Sequence, residues 1–271
     1  MHFLLGEIPI EGQLHKDILS LFYNVWSNSN SKIYQIIKYL LETSENNSRT
    51  WTVNLKFICA KYGLEDPLTC FKKDPPSKSV FKETVRTKIT AYYENELRSS
   101  AKTNSRMQYL NVSTLSLRGQ PHHSLSNLFT TQDVRKCRPH LKMLSGDYFT
   151  YEIKSSQSGG SSHCRCCDTR RTESLLHIIT ECNAYQEIRN RIYKEIQVLM
   201  KKSNLRIEEI FENKQHLTQF ILDPSSLNLP YRMNQSDTNL REMLTLSRDY
   251  CFALNSQRIK ILKDKTLNIN R

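Results

Sequence analysis

The chain has 271 residues, of which 38% are hydrophobic, so it is long enough for one or two domains with cores of their own. Its formal net charge of +12 favours a polyanionic partner, because a basic surface releases counterions when it binds nucleic acid. No apolar run is long enough to cross a bilayer, so neither a membrane span nor a membrane partner is expected.

The first residues, Met1 to Glu7, contain only a short apolar run and no basic segment, which argues against a signal peptide. The sequence therefore predicts a nuclear or cytoplasmic protein that is not secreted. In such a reducing compartment, cysteines are more often metal ligands than disulfide partners.

Hydrophobic residues recur at helical intervals and predict a mainly α fold. Two amphipathic helices are expected around residues 14–25 and 33–41, followed by a third that starts near Trp51 and ends at Gly63. The next helix is expected to be the longest of the N-terminal half, capped by Ser77 and running toward Ala101.

A strongly basic stretch runs from Arg98 to Lys142. It holds eight basic residues and one acid, Asp133, and so supplies +7 of the net charge. Residues 104–130 are rich in Ser, Asn, Gly, Pro and His, which indicates a surface segment that can contact a nucleic-acid strand. The predicted helix from Thr131, kinked at Pro139 and ended by Gly146, carries four candidate nucleic-acid-binding residues: Arg135, Lys136, Arg138 and Lys142. The competing interpretation is that they only solvate a helix face.

Two other polar features in the sequence are interpreted as loops. His122-His123, beside Pro121, resembles half of a metal site but is assigned to a polar loop. Asp223-Pro224 is assigned to a turn.

The segment from Ser155 to Ser162 contains Gly159-Gly160 and has the composition of a flexible linker. It divides the chain into a helical region at 1–154, the linker at 155–162, a zinc knuckle with its exit helix at 163–205, and C-terminal helices at 206–271. The last helix is expected to run from Ser236 to Lys263, with Cys251 as a small core residue.

The most informative feature is a cysteine cluster that directly follows this linker. Cys164-Arg165-Cys166-Cys167 is followed by nine residues, His177, four residues and Cys182. Zinc prefers four tetrahedral thiolate and imidazole ligands, and a Cys-x-x-Cys turn brings two sulfurs to one ion. The predicted zinc ligands are Cys164, Cys167, His177 and Cys182, with His163 and Cys166 as alternatives. A redox cluster or a chance spacing is the competing interpretation.

The local structure around the predicted ligands follows from capping patterns. A short helix is expected from Thr172, as N-cap, to Ile179, with Glu173 in its first turn. Five residues turn about 140° in an α-helix, so Cys182 must lie past the helix end to reach the same ion as His177. Four candidate nucleic-acid-binding residues surround the cluster: Arg165, Arg170, Arg171 and Arg189.

The segment from His163 to Ile192 resembles the zinc-binding segment that follows the reverse transcriptase domain in non-LTR, LINE-type retrotransposon polyproteins. The resemblance rests on Cys-x-x-Cys, the acid and Leu before His177, then Cys182 and nearby Tyr185 leading into a basic helix. Less specific matches at 61–64, 74–78, 107–111 and 141–148 extend it over most of the chain. The nine-residue gap before His177 and the extra Cys166 depart from a retroviral knuckle.

The resemblance implies a region that positions RNA template or target DNA, beside a full-length element reverse transcriptase as a further partner. The chain contains no Asp-Asp dipeptide for a polymerase palm, and Asp223-Pro224 is the reverse of a nuclease Pro-Asp. We therefore expect a non-catalytic, zinc-containing protein that binds RNA or DNA. The alternative is a structural or protein-interaction remnant of such an element.

Overall fold

The computed structural model describes residues 2–43, 50–125, 128–202, 210–226 and 237–269. These residues form helices joined by loops, and among them the only β-pairing is an isolated antiparallel bridge between His163 and Thr172. The prediction of a mainly α fold is confirmed. None of the helices in the described ranges is long and apolar enough to span a membrane.

The chain divides into two compact units. The first comprises residues 1–100 and 115–121, and the second comprises residues 101–114 and 122–271. Residues 163–205 and 206–271, which the sequence assigned to separate regions, lie together in the second unit.

The first unit contains helices α1 to α5: Ile10–Trp26, Lys32–Thr43, Trp51–Lys61, Pro67–Cys70 and Lys78–Thr103, whose last residues enter the second unit. The four longer helices were predicted. Their apolar faces enclose a core that includes Phe22, Trp26, Leu55, Ile58 and Ile89. Each of these residues is at most 6% exposed, so they form a core that is shielded from solvent.

Gly63 ends α3 as predicted, through a pair of hydrogen bonds that satisfies the last carbonyls of the helix. Its backbone is left-handed, with φ of 61°, and its N–H donates to Ala60 O while Leu64 N–H donates to Cys59 O. Gly6 has a similar φ of 73°, but it packs against the backbone of Gln120, and its carbonyl accepts from Gly119 N–H at 2.8 Å.

The second unit contains helices α6 to α10: Thr131–Leu144, Tyr151–Ser158, Gln186–Lys202, Lys214–Leu222 and Asp237–Ile269. Helix α10 packs along α6 and α8. Met143, Ile196, Phe220, Tyr250 and Leu254 are fully buried where these helices meet. Helix α10 extends beyond its predicted end at Lys263, and Ser236 lies outside the described residues.

The predicted linker is wrong for residues 155–158, which form the second half of α7. Thr150 caps this helix by accepting a hydrogen bond from Ile153 N–H, and Gly159, with φ of 73°, ends it. The Ser-rich composition masked a helix because its N-terminal cap lies upstream of the polar run.

We expect Gly6→Ala to destabilise the first unit more than Gly63→Ala. A β-carbon at Gly6 would lie 2.3 Å from Gln120 O, whereas a β-carbon at Gly63 would meet nothing within 4 Å. Left-handed backbone costs a non-glycine residue roughly 1–2 kcal/mol, and overpacking adds roughly 1–3 kcal/mol at Gly6. Both tryptophans, Trp26 and Trp51, belong to this unit, so urea unfolding followed by tryptophan fluorescence measures the difference. Equal losses in the two variants would contradict the close backbone approach at Gly6.

Candidate metal centre

The first half of the candidate centre is a short hairpin. Cys164 N–H donates to Arg171 O at 2.8 Å, and Glu173 N–H donates to Ser162 O at 2.9 Å, so the two arms pair on either side of the His163–Thr172 bridge. Arg170, with φ of 50°, is the only non-glycine residue with left-handed backbone in the described part of the chain. The hairpin turns the Cys-x-x-Cys segment back on itself and directs Cys164 and Cys167 inward.

The second half of the centre is a π turn, His177–Glu181, in which Cys182 N–H donates to His177 O at 2.7 Å. This i to i+5 bond makes the turn wider than an α-helical turn. It brings His177 and Cys182 to one side, although they are five residues apart. Cys182 lies just past the helix end, as predicted.

The predicted helix start at Thr172 is wrong, because Thr172 lies in the hairpin bridge. Helical structure begins at Leu175, and the side-chain oxygen of Ser174 accepts a hydrogen bond from His177 N–H at 3.1 Å. Ser174 therefore takes the capping role. A sequence with Thr172 and Ser174 two residues apart offers two candidate caps, and only the pairing of the hairpin decides between them.

The four predicted ligands come together. One donor atom each from Cys164, Cys167, His177 and Cys182 lies within 4.8 Å of all the others, and all four residues are buried. The Sγ atoms of Cys164 and Cys182 are 3.9 Å apart, and Cys167 Sγ lies 3.4 Å from His177 Nε2. Zinc at about 2.3 Å from sulfur and 2.0 Å from nitrogen requires tetrahedral separations of roughly 3.8 Å between two sulfurs and roughly 3.5 Å between sulfur and nitrogen. The spacing therefore fits a zinc ion.

The two alternative ligands differ from the predicted four. His163 is exposed on the hairpin. Cys166 is buried and forms a second set of neighbouring groups with Cys164 and Glu173, but its backbone N–H donates to Cys164 Sγ at 3.4 Å. Hydrogen bonds from Cys166 and Cys182 lower the pKa of the Cys164 thiol, while the bond to Cys164 and burial raise the pKa of Cys166. Cys166 thus supports the thiolate of Cys164, and Cys167 completes the four-ligand set.

Glu181 lies behind the histidine ring at the distance of a charge contact. Its Oε2 lies 3.6 Å from His177 Nδ1, which leaves Nε2 directed at Cys167. Hydrogen bonds from Lys214 at 2.8 Å and Arg171 at 3.0 Å lower the pKa of Glu181 to about 2, so the carboxylate is ionised at neutral pH. Among the described residues Nδ1 has no hydrogen-bond partner, so this carboxylate acts on the ring through its charge and not through a hydrogen bond.

Glu173, beside the sulfurs, is fully buried and forms a two-pronged ion pair with Arg258 of helix α10. Arg258 Nε donates to Oε1 at 3.1 Å and Nη2 donates to Oε2 at 2.8 Å, and Tyr151 N–H donates to Oε2 at 2.8 Å. The sequence pattern had placed Glu173 in a first helical turn. Its real partner is 85 residues away, so no local pattern could have identified it.

Arg189, predicted to contact nucleic acid, is buried instead. Its guanidinium donates to Ile179 O at 3.2 Å and to Cys182 O at 2.8 Å, and Tyr250 OH also donates to Ile179 O. Arg189 thus satisfies the Ile179 carbonyl of the π turn and adds a second hydrogen bond to the Cys182 carbonyl, which also accepts from Tyr185 N–H at 3.1 Å. It is therefore a structural residue of the centre.

The other predicted basic residues lie at two places on the surface of the second unit. Arg165, Arg170 and Arg171 are exposed on the metal hairpin. Arg135, Arg138 and Lys142 are exposed on α6, spaced so that they share one face. Lys136 is only partly exposed and its Nζ lies 2.8 Å from Asp249 of α10.

Comparison of the chain with protein-family models, characterised proteins and solved structures finds no match. The resemblance to LINE-type elements stays a prediction that rests on the residues quoted for it.

His122, assigned from sequence to a polar loop, is buried, as is Asp223, and with the partly exposed His123 they form a further group of potential metal ligands. Burial lowers the pKa of His122 to about 4, so its ring is neutral. Because its Nδ1 accepts from Ser124 N–H at 3.3 Å, the ring proton is on Nε2, which disfavours metal binding there. Asp223 Oδ1 already accepts from Ser225 Oγ at 2.6 Å and is 3.1 Å from His123 Nε2. We interpret this group as a polar network.

We expect the chain to retain one zinc ion after zinc loading and dialysis, and we expect His177→Ala or Cys182→Ser to abolish zinc binding. Loss of one of four ligands opens the site, and the hairpin has little core of its own to compensate. Cys166→Ser is the matched control and should keep one zinc per chain. Elemental analysis of dialysed protein measures the ratio. If Cys166→Ser lost zinc and Cys167→Ser retained it, Cys166 would be the ligand in place of Cys167.

Glu173→Gln should destabilise the zinc-loaded second unit by about 3–5 kcal/mol, because it leaves Arg258, whose side chain is only 12% exposed, without a counter-charge. Asp249→Asn breaks a partly exposed ion pair in the same unit and should cost about 1 kcal/mol or less. Urea unfolding followed by far-ultraviolet circular dichroism compares the two. A loss at Glu173 no larger than that at Asp249 would contradict a structural role for the buried pair.

Proposed function

We propose that this protein is a non-catalytic, zinc-containing nucleic-acid-binding protein, and that the metal hairpin is its binding surface. The observation that carries the proposal is the arrangement of Arg165, Arg170 and Arg171. All three are exposed on the seven-residue loop between Cys164 and Thr172, whose fold depends on the ligand set. A metal-fixed loop presents guanidinium groups to phosphate with little loss of conformational entropy on binding.

The ligand set supports a structural role for the metal. Three cysteines and one histidine complete a tetrahedral zinc, which leaves no open position for a substrate or an activated water. Catalytic zinc sites keep such a position open. Zinc would therefore act here by holding the hairpin arms and the π turn together.

The exposed face of α6 supplies a second contact surface. Arg135, Arg138 and Lys142 follow one another along that face, and a row of cations at helical spacing can track a phosphate backbone. By its resemblance to LINE-type elements, the bound strand would be an RNA template or a DNA target, and a full-length element reverse transcriptase would be a further partner.

A protein-interaction role is the second candidate, and helix α2 favours it. Ile33, Ile36 and Tyr39 are 60%, 56% and 64% exposed at successive three-residue intervals. Such an apolar row on one helix face is typical of a protein contact. It belongs to the first unit and is independent of the metal hairpin.

Fluorescence anisotropy with labelled single-stranded RNA and duplex DNA tests the proposed function. We expect binding that weakens as salt rises and that is lost when a chelator removes zinc. The variant with Arg165, Arg170 and Arg171 changed to alanine should have a salt slope that is lower by roughly 2–3 per decade, since each phosphate contact contributes about 0.7–0.9.

The matched control replaces three exposed lysines of α5, Lys78, Lys82 and Lys88, by alanine. It removes the same charge and should leave the slope close to that of the unmodified chain. Equal effects of the two triple variants would mean that binding depends on net charge alone and not on the position of the arginines. Absence of binding by the zinc-loaded chain would leave protein interaction as the better-supported function.

A further inference from the structure

A cleft opens beside the metal centre, between the hairpin and the last turns of α10. Its volume is about 690 Å³, and its lining includes Tyr151, Arg165 and Arg170 on one side and Lys265 and Thr266 on the other. A space of this size is comparable to small-molecule pockets and holds one or two nucleotides.

An arginine–tyrosine stack forms one wall of the cleft. The guanidinium carbon of Arg165 lies 4.7 Å from the centre of the Tyr151 ring, which fixes the plane of an otherwise mobile exposed side chain. Arg165 directly follows the ligand Cys164, so the metal fixes its backbone. Tyr151 is fixed from the other side, because its N–H donates to the buried carboxylate of Glu173.

The charge of the cleft suits a phosphate. Arg165, Arg170 and Lys265 line it, and Asp168 is the only acid among the lining residues that the structure describes. Asp168 is fully exposed at the rim, with Oδ1 3.8 Å from Lys265 Nζ. The lining thus combines a net positive charge with a planar cation backed by an aromatic ring. Arginine planes and aromatic rings are the surfaces on which unpaired bases stack.

We infer that this cleft binds an unpaired nucleotide, with its base on the Arg165 guanidinium and its phosphate near Arg170 and Lys265. The inference rests on the proposed function and narrows it to single-stranded nucleic acid. Duplexes would contact the outer arginines through phosphate only, since their bases are already stacked. The cleft therefore predicts a preference for single strands that depends on the shape of Arg165 and not only on its charge.

Arg165→Lys is the decisive variant, because it keeps the positive charge and removes the planar group. We expect it to weaken single-stranded RNA binding about tenfold, the loss of one stacked base, and to leave duplex binding unchanged. Tyr151→Leu should also weaken single-strand binding, because it removes the ring that supports Arg165. Tyr151→Phe keeps the ring and should behave like the unmodified chain. Arg86→Lys on α5, an exposed arginine outside both proposed contact surfaces, is the matched control for the arginine change and should alter neither affinity.

Each variant is assayed as zinc-loaded full chain, with one zinc per chain confirmed first. A single-stranded oligonucleotide containing 2-aminopurine gives a second readout, because stacking quenches its fluorescence. We expect quenching with the unmodified chain and Tyr151→Phe, and its loss with Arg165→Lys.

Two outcomes separate this inference from the proposed function. In the first, the unmodified chain binds single-stranded RNA and duplex DNA, but Arg165→Lys and Tyr151→Leu retain full single-strand affinity and quenching. The cleft then does not hold a base, while nucleic-acid binding stands. In the second, the unmodified chain binds neither probe, and the proposed function and the inference fail together.

Discussion

The carboxylate of Glu173 is the contact on which the organisation of the second unit depends. It lies within the protein, pairs with Arg258 on both oxygens, and accepts the first N–H of α7 from Tyr151. Three segments that are distant in sequence therefore meet at one charge: the metal hairpin, α7 and α10. Because a buried charge without its partner is strongly destabilising, these segments are positioned together or not at all.

The π turn solves a geometrical problem that the ligand spacing creates. An α-helical turn would rotate His177 and Cys182 away from each other, whereas the wider turn brings them to one side. Arg189 of α8 and Tyr250 of α10 donate to the Ile179 carbonyl inside the turn, and Arg189 also donates to the Cys182 carbonyl at its exit. Residues that lie far from any metal ligand in the sequence thus maintain the ligand geometry.

The sequence was sufficient for features that depend on local patterns. Apolar periodicity identified the longer helices of the first unit, Gly63 marked the end of α3, and the cysteine–histidine spacing identified four side chains that the structure brings together. These features follow from backbone preferences or from ligand chemistry over a few residues. Cys166, next to Cys167 and two residues from Cys164, was an alternative ligand by sequence, and the structure shows Cys167 beside His177.

The features that were missed depend on tertiary partners. Arg189 has the composition of a surface residue, but it caps a turn whose type no local pattern reveals. His122 was assigned to a polar loop, yet it is buried beside Asp223, a hundred residues later in the chain. In both cases the deciding partner lies outside the window that a sequence pattern covers.

The helix over 155–158 differs, because its cap at Thr150 is local and accepts from Ile153 N–H, three residues later. The Ser-rich composition predicts a linker there, and the upstream cap decides for a helix.

The division of the chain into units determines the order in which it can fold during synthesis. The first unit includes residues 115–121, which follow a segment that belongs to the second. Leu117 completes its core, and Gly119 N–H donates to Gly6 O. A nascent chain that ends at Ser100 therefore lacks part of the core around α1, α3 and α5. The N-terminal helices remain without that part until the ribosome has also released residues 101–114, which belong to the other unit.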